Sequence, residues 1–320
     1  MRKTPVVCSA ILAAGGILWH PAISNAQAPP PVRAAKQWPV ITEIRSPDKL
    51  EAEVRRKVEE ALPKKAFAKP KKPRKLLVMD RQVNYPGHRS IPHANLAVDL
   101  MGKKLGVWEA TFSNEMSNLK WEKLKQFDAL YLNNTVGPLF TDPEVQQSLL
   151  RFIREGGGLI GNHGSTHCSM DWPEFSALIG ARNGPHRDAN EKVTIKLDDP
   201  KSPITAMFKG REFVFTDEYF RFPGPPYSRE KLHILMSIDV SKTDMNQGAD
   251  CKACVRADND YAISWIRSYG KGRVFYCSLG HNPDVFWTPA LLDHFLAGMQ
   301  FALGDLKVNT KPSAKPAKKS

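Results

Sequence analysis

Three of the nine histidines in this sequence follow short apolar runs of the kind that form buried strands. His88 lies downstream of the run 76–79, His163 lies on the turn after 159–161, and His281 follows 274–277. In open parallel sheets the carboxyl ends of the strands meet at one edge, and ligands bind there. We therefore expect these three imidazoles to converge although they are far apart in the sequence.

His186 and the run Asp217-Glu218-Tyr219 lie in loops that could fold over the same edge. A set of histidines with a glutamate can bind a divalent metal, or it can transfer protons near neutral pH. The alternative for each histidine is an ordinary loop residue that is exposed or hydrogen-bonded.

The remaining histidines and the large aromatic residues receive structural interpretations. We expect ordinary roles for His20, His93, His167, His233 and His294. The rings of Trp172, Phe220, Phe286 and Trp287 are expected in the core or at its rim, and a sugar-stacking surface is the weaker alternative.

The elements that must position these groups alternate from Lys75 onward. Strands are predicted at 76–79, 108–112, 129–132 and 159–161, with helices at 91–104 and from Thr141 to Arg154. The second half is richer in strands, at 193–197, 212–215, 233–237, 262–266 and 274–277, before a last helix at about 289–303. Strands alternating with helices predict an α/β fold with a mostly parallel central sheet sandwiched by helices, with β-rich additions in the second half.

Composition and charge exclude several classes of protein. The chain has 320 residues, 42% of them hydrophobic, which suffices for a large buried core. No apolar run reaches about 20 residues, so we expect no stable membrane insertion. The net charge of +13 comes from residues 1–75 and 305–320, which leave the region between them close to neutral. A nucleic-acid-binding domain would carry its basic residues on the folded surface, so we expect no nucleic acid partner.

The first 28 residues read as a signal peptide. Arg2 and Lys3 precede an apolar stretch and a small-residue site ending at Ala28, which predicts cleavage there and a periplasmic or secreted protein. Residues 29–73 read as a Pro/Lys-rich linker with one short helix at 48–61, and residues 306–320 as a basic disordered tail. Both cationic segments could contact an anionic membrane or a cell-wall polymer.

Four cysteines follow the predicted cleavage site: Cys168, Cys251, Cys254 and Cys277. In an oxidising compartment they permit two disulfides with three connectivities. The pair Cys251 and Cys254 lies in a polar loop and lacks the second pair that a zinc ribbon needs. We favour a local disulfide there over a redox or zinc site.

Several stretches together resemble the ThuA-like (trehalose-utilisation) family, whose fold is that of class I glutamine amidotransferases, a flavodoxin-like three-layer arrangement. They are GGGLIGNHGSTH (156–167), DWPEF (171–175), GPH (184–186), TDEYF (216–220), SWIRSYGKGRVFYCSLGHNP (264–283) and FALGD (301–305). The resemblance covers a domain at residues 74–305 and implies His88, His163, His186, Glu218 and His281 as its functional residues.

In that superfamily the turn after the Gly-rich strand carries a nucleophilic cysteine. Here His163 takes that position, so no amidotransferase activity is expected. The resemblance implies carbohydrate metabolism instead, and cleavage of a 3-keto-glycoside or disaccharide beside a sugar oxidoreductase partner. His163, His281, Glu218 and His186 would be catalytic, and His88, His163, Glu218 and His281 would hold a divalent metal, Zn or Mn. A non-catalytic sugar binder and an accessory subunit are the alternatives.

Overall fold

The computed structural model describes residues 39–248 and 250–313 of the chain, and within these ranges a single sheet lies between two layers of helices. The strands are β1 (Lys75–Met79), β2 (Glu109–Phe112), β3 (Ala129–Asn133), β4 (Gly158–Asn162), β5 (Glu191–Leu197), β6 (Phe213–Asp217), β7 (His233–Ile238), β8 (Ala262–Tyr269) and β9 (Gly272–Cys277). The helices are α1 (Ala52–Ala61), α2 (Ile91–Leu105), α3 (Trp121–Leu124), α4 (Pro143–Glu155), α5 (Pro173–Ile179) and α6 (Pro289–Leu303).

The strand order is β2-β1-β3-β4-β9-β8-β7-β5-β6. The first five strands in this order are parallel, and the remaining four join them through antiparallel pairs. The predicted α/β fold is confirmed, and the β-rich additions form the antiparallel half of the same sheet. From β1 the chain passes to β2 on one side and then to β3 on the other. This reversal opens a crevice at the carboxyl ends of the strands.

Successive side chains of the parallel strands enter opposite cores, because a strand alternates its faces. Leu76 and Val78 pack with α1, α2 and α6, whereas Leu77 and Met79 pack with α3, α4 and α5. Because helices cover both faces of the sheet, these strands are continuous apolar runs in the sequence. The parallel half of the sheet is therefore a rigid base for the loops at its edge.

Residues 39–73, the described part of the predicted linker 29–73, are docked on the domain, and the short helix predicted there is present as α1. Helix α1 docks on the domain with Val58 fully buried. The Gln300 side chain on α6 accepts the N–H groups of Phe67 and Ala68 at 2.8 and 3.2 Å and donates to the Ala68 carbonyl at 2.6 Å. The Lys/Pro composition suggested solvation, but this segment is bound through its backbone.

The start of the predicted disordered tail is also bound. The Ser313 N–H donates to the Leu232 carbonyl at 2.9 Å, and the His233 ring contacts the Lys311 carbonyl through Nδ1 at 2.6 Å. Residues 306–313 therefore follow the surface to the start of β7, in contrast to the disorder expected for 306–320.

The predicted disulfide between Cys251 and Cys254 is confirmed, and Cys168 and Cys277 are buried free thiols. The predicted signal peptide, residues 1–28, lies outside the described residues. Among the helices of the described ranges, none combines the length and the apolar character that a membrane span requires.

Helix α6 approaches β9 closely enough that Gly298 contacts the ring of Phe275. A methyl group at this position would overlap the ring, so we expect Gly298→Ala to lower the free energy of unfolding by about 1–3 kcal/mol, although alanine favours helices. Urea unfolding followed by circular dichroism measures the change. Asp293→Ala on the same helix, where the side chain is partly exposed, is the control and should change stability by less than about 0.5 kcal/mol. Equal stability of Gly298→Ala and wild type would contradict the close packing.

Candidate functional site

The structure brings all five sequence-predicted site residues together at the carboxyl edge of the parallel strands. His88 follows β1, His163 follows β4, His281 follows β9, Glu218 directly follows β6, and His186 lies in the loop before β5. The ring centroids of His88 and His163 are 4.7 Å apart, those of His88 and His281 5.2 Å, and those of His163 and His281 5.3 Å. We refer to these five side chains as the His/Glu cluster.

Glu218 lies at the centre of the cluster. Its Oε2 is 3.3 Å from His163 Nε2, and its Oε1 is 3.1 Å from His186 Nδ1 and 3.9 Å from His281 Nε2. Burial by itself raises the pKa of Glu218, but the contacts with His163 and His186 outweigh burial and hold this pKa well below its usual range. Glu218 is therefore a carboxylate at neutral pH, surrounded by imidazoles.

Two contacts hold the His163 ring. Its Nδ1 lies 2.9 Å from the Ser278 carbonyl, and its face stacks on Phe220 at 4.5 Å between centroids. A carbonyl only accepts hydrogen bonds, so Nδ1 carries the hydrogen and the neutral ring has its lone pair on Nε2. That lone pair faces the Glu218 carboxylate. Two such acceptors repel unless a proton or a metal cation lies between them.

His163 is the first residue of a short 3-10 helix, His163–His167, which directly follows β4, and its backbone is strained. Its φ of 37° falls in the left-handed region, which non-glycine residues rarely adopt. The Tyr276 hydroxyl donates to the His163 carbonyl at 2.8 Å and holds this conformation. Strand-to-helix turns of this kind present a single side chain at the edge of a sheet.

The His88 ring is neutral. Burial lowers the pKa of His88 to about 2, and the neighbouring imidazoles of His163 and His281 add to this effect. Its Nε2 lies 3.3 Å from the Tyr85 hydroxyl, whereas its buried Nδ1 has no hydrogen-bond partner among the described residues. A buried nitrogen without a partner costs free energy and favours a ligand at this position.

Asp217 positions the turn that carries His281. Its two carboxylate oxygens accept the N–H groups of Gly280 and Asn282, both at 2.8 Å. The Asn282 amide donates to the Ala189 carbonyl at 2.7 Å, so its oxygen faces His281 Nδ1 at 3.1 Å and accepts from it. His281 Nε2 consequently has its lone pair on the side of Glu218.

His186 is the most exposed member of the cluster, with 42% of its side chain accessible. The Arg221 N–H donates to the Pro185 carbonyl at 2.9 Å, and Arg221 itself is buried in an ion pair with Glu191. The hydrogen bond to Glu218 raises the pKa of His186 above its ordinary value, although burial opposes this. His186 therefore connects Glu218 with solvent.

Buried amides join the strand ends beneath the cluster. The Asn134 side chain donates to the Gly280 carbonyl at 2.8 Å and accepts the Gly164 N–H at 2.9 Å. Ser90 Oγ also donates to the Gly280 carbonyl, at 2.5 Å, so the loops after β1, β3, β4 and β9 share one network. Such networks restrict the rings above them to one arrangement.

The sequence did not predict functional roles for Tyr85, Asn134, Asp217 or Phe220. Asp217 and Asn134 each lie at or just after the end of a strand, and that position was the available signal. Tyr85 lies in an irregular loop that no periodicity marks. Phe220 was expected in the core, and it is buried there while also stacking on His163.

The other histidines have structural partners. His93 lies beside the Arg89 carbonyl, His167 beside Asn183, His233 between Asp199 and Lys311, and His294 between Ser264 and Ile204. These contacts fit the ordinary roles that we expected. His20 lies outside the described residues.

The cluster has the chemistry of a metal site. One nitrogen from each of His88, His163 and His281 lies within 4.8 Å of the others. His163 Nε2 and His88 Nδ1 are buried without a hydrogen bond among the described residues, and a carboxylate lies beside the first. Neutral imidazoles with a carboxylate are donors that suit Zn²⁺ and Mn²⁺. These residues therefore fit a divalent cation.

The neutral state of His88 predicts a pH dependence of stability in metal-free protein. The unfolded chain binds a proton on His88 below about pH 6.5, whereas the folded protein, with a pKa of about 2, does not. Its contribution is therefore complete above pH 6.5 and is lost as the pH falls, by about 2 kcal/mol between pH 7 and 5. We expect His88→Gln to reduce this loss in urea unfolding at the two pH values. The same loss in both proteins would contradict a neutral buried His88.

Comparison with known proteins identifies relatives of this fold. The sequence model of the ThuA family, described as trehalose utilisation, matches residues 75–302. A structure from Bacteroides uniformis ATCC 8492 described as ThuA-like is 19% identical, with a TM-score of 0.57 over 73% of this chain and 93% of that chain. A second, from Parabacteroides merdae ATCC 43184, is 17% identical, with a TM-score of 0.53 over 77% and 94%.

No curated protein has significant sequence similarity to this chain. The two structures support the fold alone, because their identities are low. The family match includes every member of the His/Glu cluster. The chain therefore belongs to the ThuA (trehalose utilisation) family, which at a coarse level indicates carbohydrate utilisation.

Proposed function

We propose that this protein is an exported enzyme of carbohydrate metabolism that cleaves the glycosidic C–O bond of 3-keto-glycosides or 3-keto-disaccharides by histidine-based, metal-assisted elimination. The main support is the buried Glu218 carboxylate surrounded by the imidazoles of His163, His186 and His281. A set of imidazoles around a carboxylate can remove a proton from carbon and hold it within the site.

The ketone makes this chemistry accessible to an imidazole. A carbonyl at C3 acidifies the hydrogen on C2, so a base can take that proton while the electron pair forms an enolate. The pair then returns to form the C1–C2 double bond as the C1–O bond breaks, and the aglycone leaves with the bonding electrons. A proton from an acid in the site completes the alcohol, so the products are the alcohol and an unsaturated keto sugar.

His281 is the better placed of the two candidate bases. Its side chain is 26% exposed and the Nε2 lone pair is available, whereas His163 Nε2 is buried against Glu218. Glu218 lies 3.9 Å from His281 Nε2 and contacts the half-exposed His186, so the two groups can pass the proton toward solvent. His163 is therefore better suited to hold a metal than to contact the substrate.

The metal would be held by His88, His163 and Glu218, because the single Nε2 lone pair of His281 serves as the base and is not available to a metal. When bound there, a divalent metal supplies a Lewis acid that stabilises the developing enolate. His163 is oriented for this role by the Ser278 carbonyl at its other ring nitrogen, as metal-binding histidines generally are. The contact with Asn282 orients His281 for its role as the base in the same way.

Glutamine hydrolysis by a cysteine nucleophile receives no support from the described residues. Cys168, the nearest thiol in sequence to the turn, is buried, and burial raises its pKa to about 12. A thiol in that state is a poor nucleophile. We therefore propose that amidotransferase chemistry is absent.

The substrate also sets the partner class. A 3-keto-glycoside requires a preceding oxidation of the sugar hydroxyl, so a sugar oxidoreductase would supply it. The proposed export rests on the sequence of residues 1–28. A non-catalytic sugar binder is the competing function, and mutation of His281 distinguishes the two.

We expect turnover of 3-keto-trehalose or 3-keto-glucosides by purified protein supplemented with Zn²⁺ or Mn²⁺, and a fall in kcat of about 10²–10⁴-fold in His281→Gln, because the base is lost. Substrate affinity should change only a few-fold. Product release followed by chromatography measures turnover, and calorimetry measures binding.

His167→Gln is the matched control, because His167 lies near the cluster but contacts Asn183 instead. Its kcat should stay within about two-fold of wild type. A binder would show no turnover and would lose affinity in His281→Gln. Absence of turnover across the substrate panel, with and without metal, would contradict the enzymatic proposal.

Metal content is a separate prediction. Protein purified without chelator should contain roughly one equivalent of a divalent metal, and His163→Ala should weaken metal binding about 10–100-fold or more. Elemental analysis and competition with a chelating dye measure this, with His167→Ala as the control. A metal-free wild-type protein that also fails to bind added Zn²⁺ or Mn²⁺ would contradict the metal assignment.

A further inference from the structure

The loop that carries Tyr85 and His88 is held from outside the family-matched region 75–302. Ile41 and Gln82 exchange backbone hydrogen bonds, with N–O distances of 2.9 and 3.3 Å, and Val83 bonds onward to Val136 at 2.9 Å. The segment 41–46 therefore extends the sheet pairing across the start of this loop. We name it the N-terminal strap.

Arg45 on the N-terminal strap binds the loop at both ends. Its N–H donates to Asp80 Oδ2 at 3.0 Å, and its Nη1 lies 3.4 Å from the Asp80 carbonyl. Its Nη2 donates to the Pro86 carbonyl at 2.6 Å, two residues before His88. One side chain thus connects the end of β1 with the segment next to the His/Glu cluster.

The surrounding residues are shaped for this contact. Gly87 has φ of 86°, and a Cβ there would overlap the Arg45 guanidinium. The fully buried Asp80 carboxylate also accepts from Asn95 at 2.8 Å and from Asn114 at 2.7 Å. The Asn95 amide donates to the Arg45 carbonyl at 3.0 Å, so the strap is fixed from several sides.

We propose that Arg45 is a positioning residue that holds the loop 80–88 so that His88 faces His163 and His281, and that the site is incomplete without the N-terminal strap. A guanidinium suits this task because its planar donors reach several carbonyl oxygens at fixed angles, whereas a lysine offers a single charged point. The expected effect of Arg45 on catalysis rests on the proposed function. The claim that Arg45 holds the loop 80–88 does not.

The test uses the full chain and two readouts. Hydrogen exchange of the Gln82 amide, which donates to the Ile41 carbonyl, reports the strap contact directly, and exchange of the Val83 amide, which donates to the Val136 carbonyl, reports the adjoining loop. We expect Arg45→Ala to accelerate both by at least tenfold. Arg45→Lys should give an intermediate increase. In the activity assay, both variants should lower kcat more than they change KM, since an ångström of displacement at a reacting group can cost about 100-fold.

Arg55→Ala is the matched control, because Arg55 donates to the Pro47 carbonyl and does not contact the loop. It should leave the exchange of Gln82 and Val83 within about twofold of wild type. Gly87→Ala would place a methyl group against the Arg45 guanidinium and displace it, so this variant should also accelerate the exchange.

Two results would overturn the proposal: unchanged exchange in Arg45→Ala, or equal acceleration in Arg55→Ala, which would indicate general loosening. A third result, faster exchange with wild-type kcat, would overturn the role of Arg45 in positioning His88.

If wild-type protein turns over no substrate, the enzymatic proposal fails while the exchange data still decide whether Arg45 holds the loop. Binding of Co²⁺ to the wild type and to Arg45→Ala then gives the functional comparison, with a loss of about 10–100-fold expected; equal affinity, or no binding by either, would overturn the positioning role.

Discussion

The contact between the Glu218 carboxylate and the buried imidazole of His163 constrains the rest of the site. The Ser278 carbonyl faces Nδ1 of His163, so in the neutral ring Nε2 is an acceptor that faces a carboxylate oxygen at 3.3 Å. A buried pair of this kind is favourable only with a cation between its members or a proton on the ring. The geometry of this pair therefore suits a bound cation or a proton between the two groups, and the proposed chemistry builds on that property.

The parallel sheet places these residues next to one another. Strand ends bring the residues to one edge, but strand ends alone leave each loop free to move. Asp217 ties the end of β6 to the turn after β9, and Asn134 ties the loops after β3, β4 and β9 together. Each of these contacts uses backbone groups of the neighbouring loop, which explains how segments distant in the sequence are held side by side.

The sequence predicted the elements and the cluster because both follow from periodicity and from the geometry of parallel strands. Strand-end histidines such as His163 must lie at the same edge once the sheet is parallel. The N-terminal strap and the tail were misread for a physical reason. They bind through backbone N–H and C=O groups, as at Ile41 and Ser313, and such contacts leave no side-chain pattern in the sequence. The partners Tyr85 and Arg45 were missed for a related reason, since irregular loops carry no period.

The turn after β4 illustrates how one fold can carry different chemistries. Its strained backbone, with φ of 37° at His163, presents one side chain at the start of a short helix whatever that side chain is. A thiol there would be a nucleophile. An imidazole there is held by Ser278 and Phe220 and is buried, so it can bind a cation or a proton but cannot easily attack a carbonyl. Function in this protein therefore follows from the residue type at the turn and its neighbours, and the fold determines only where that residue lies.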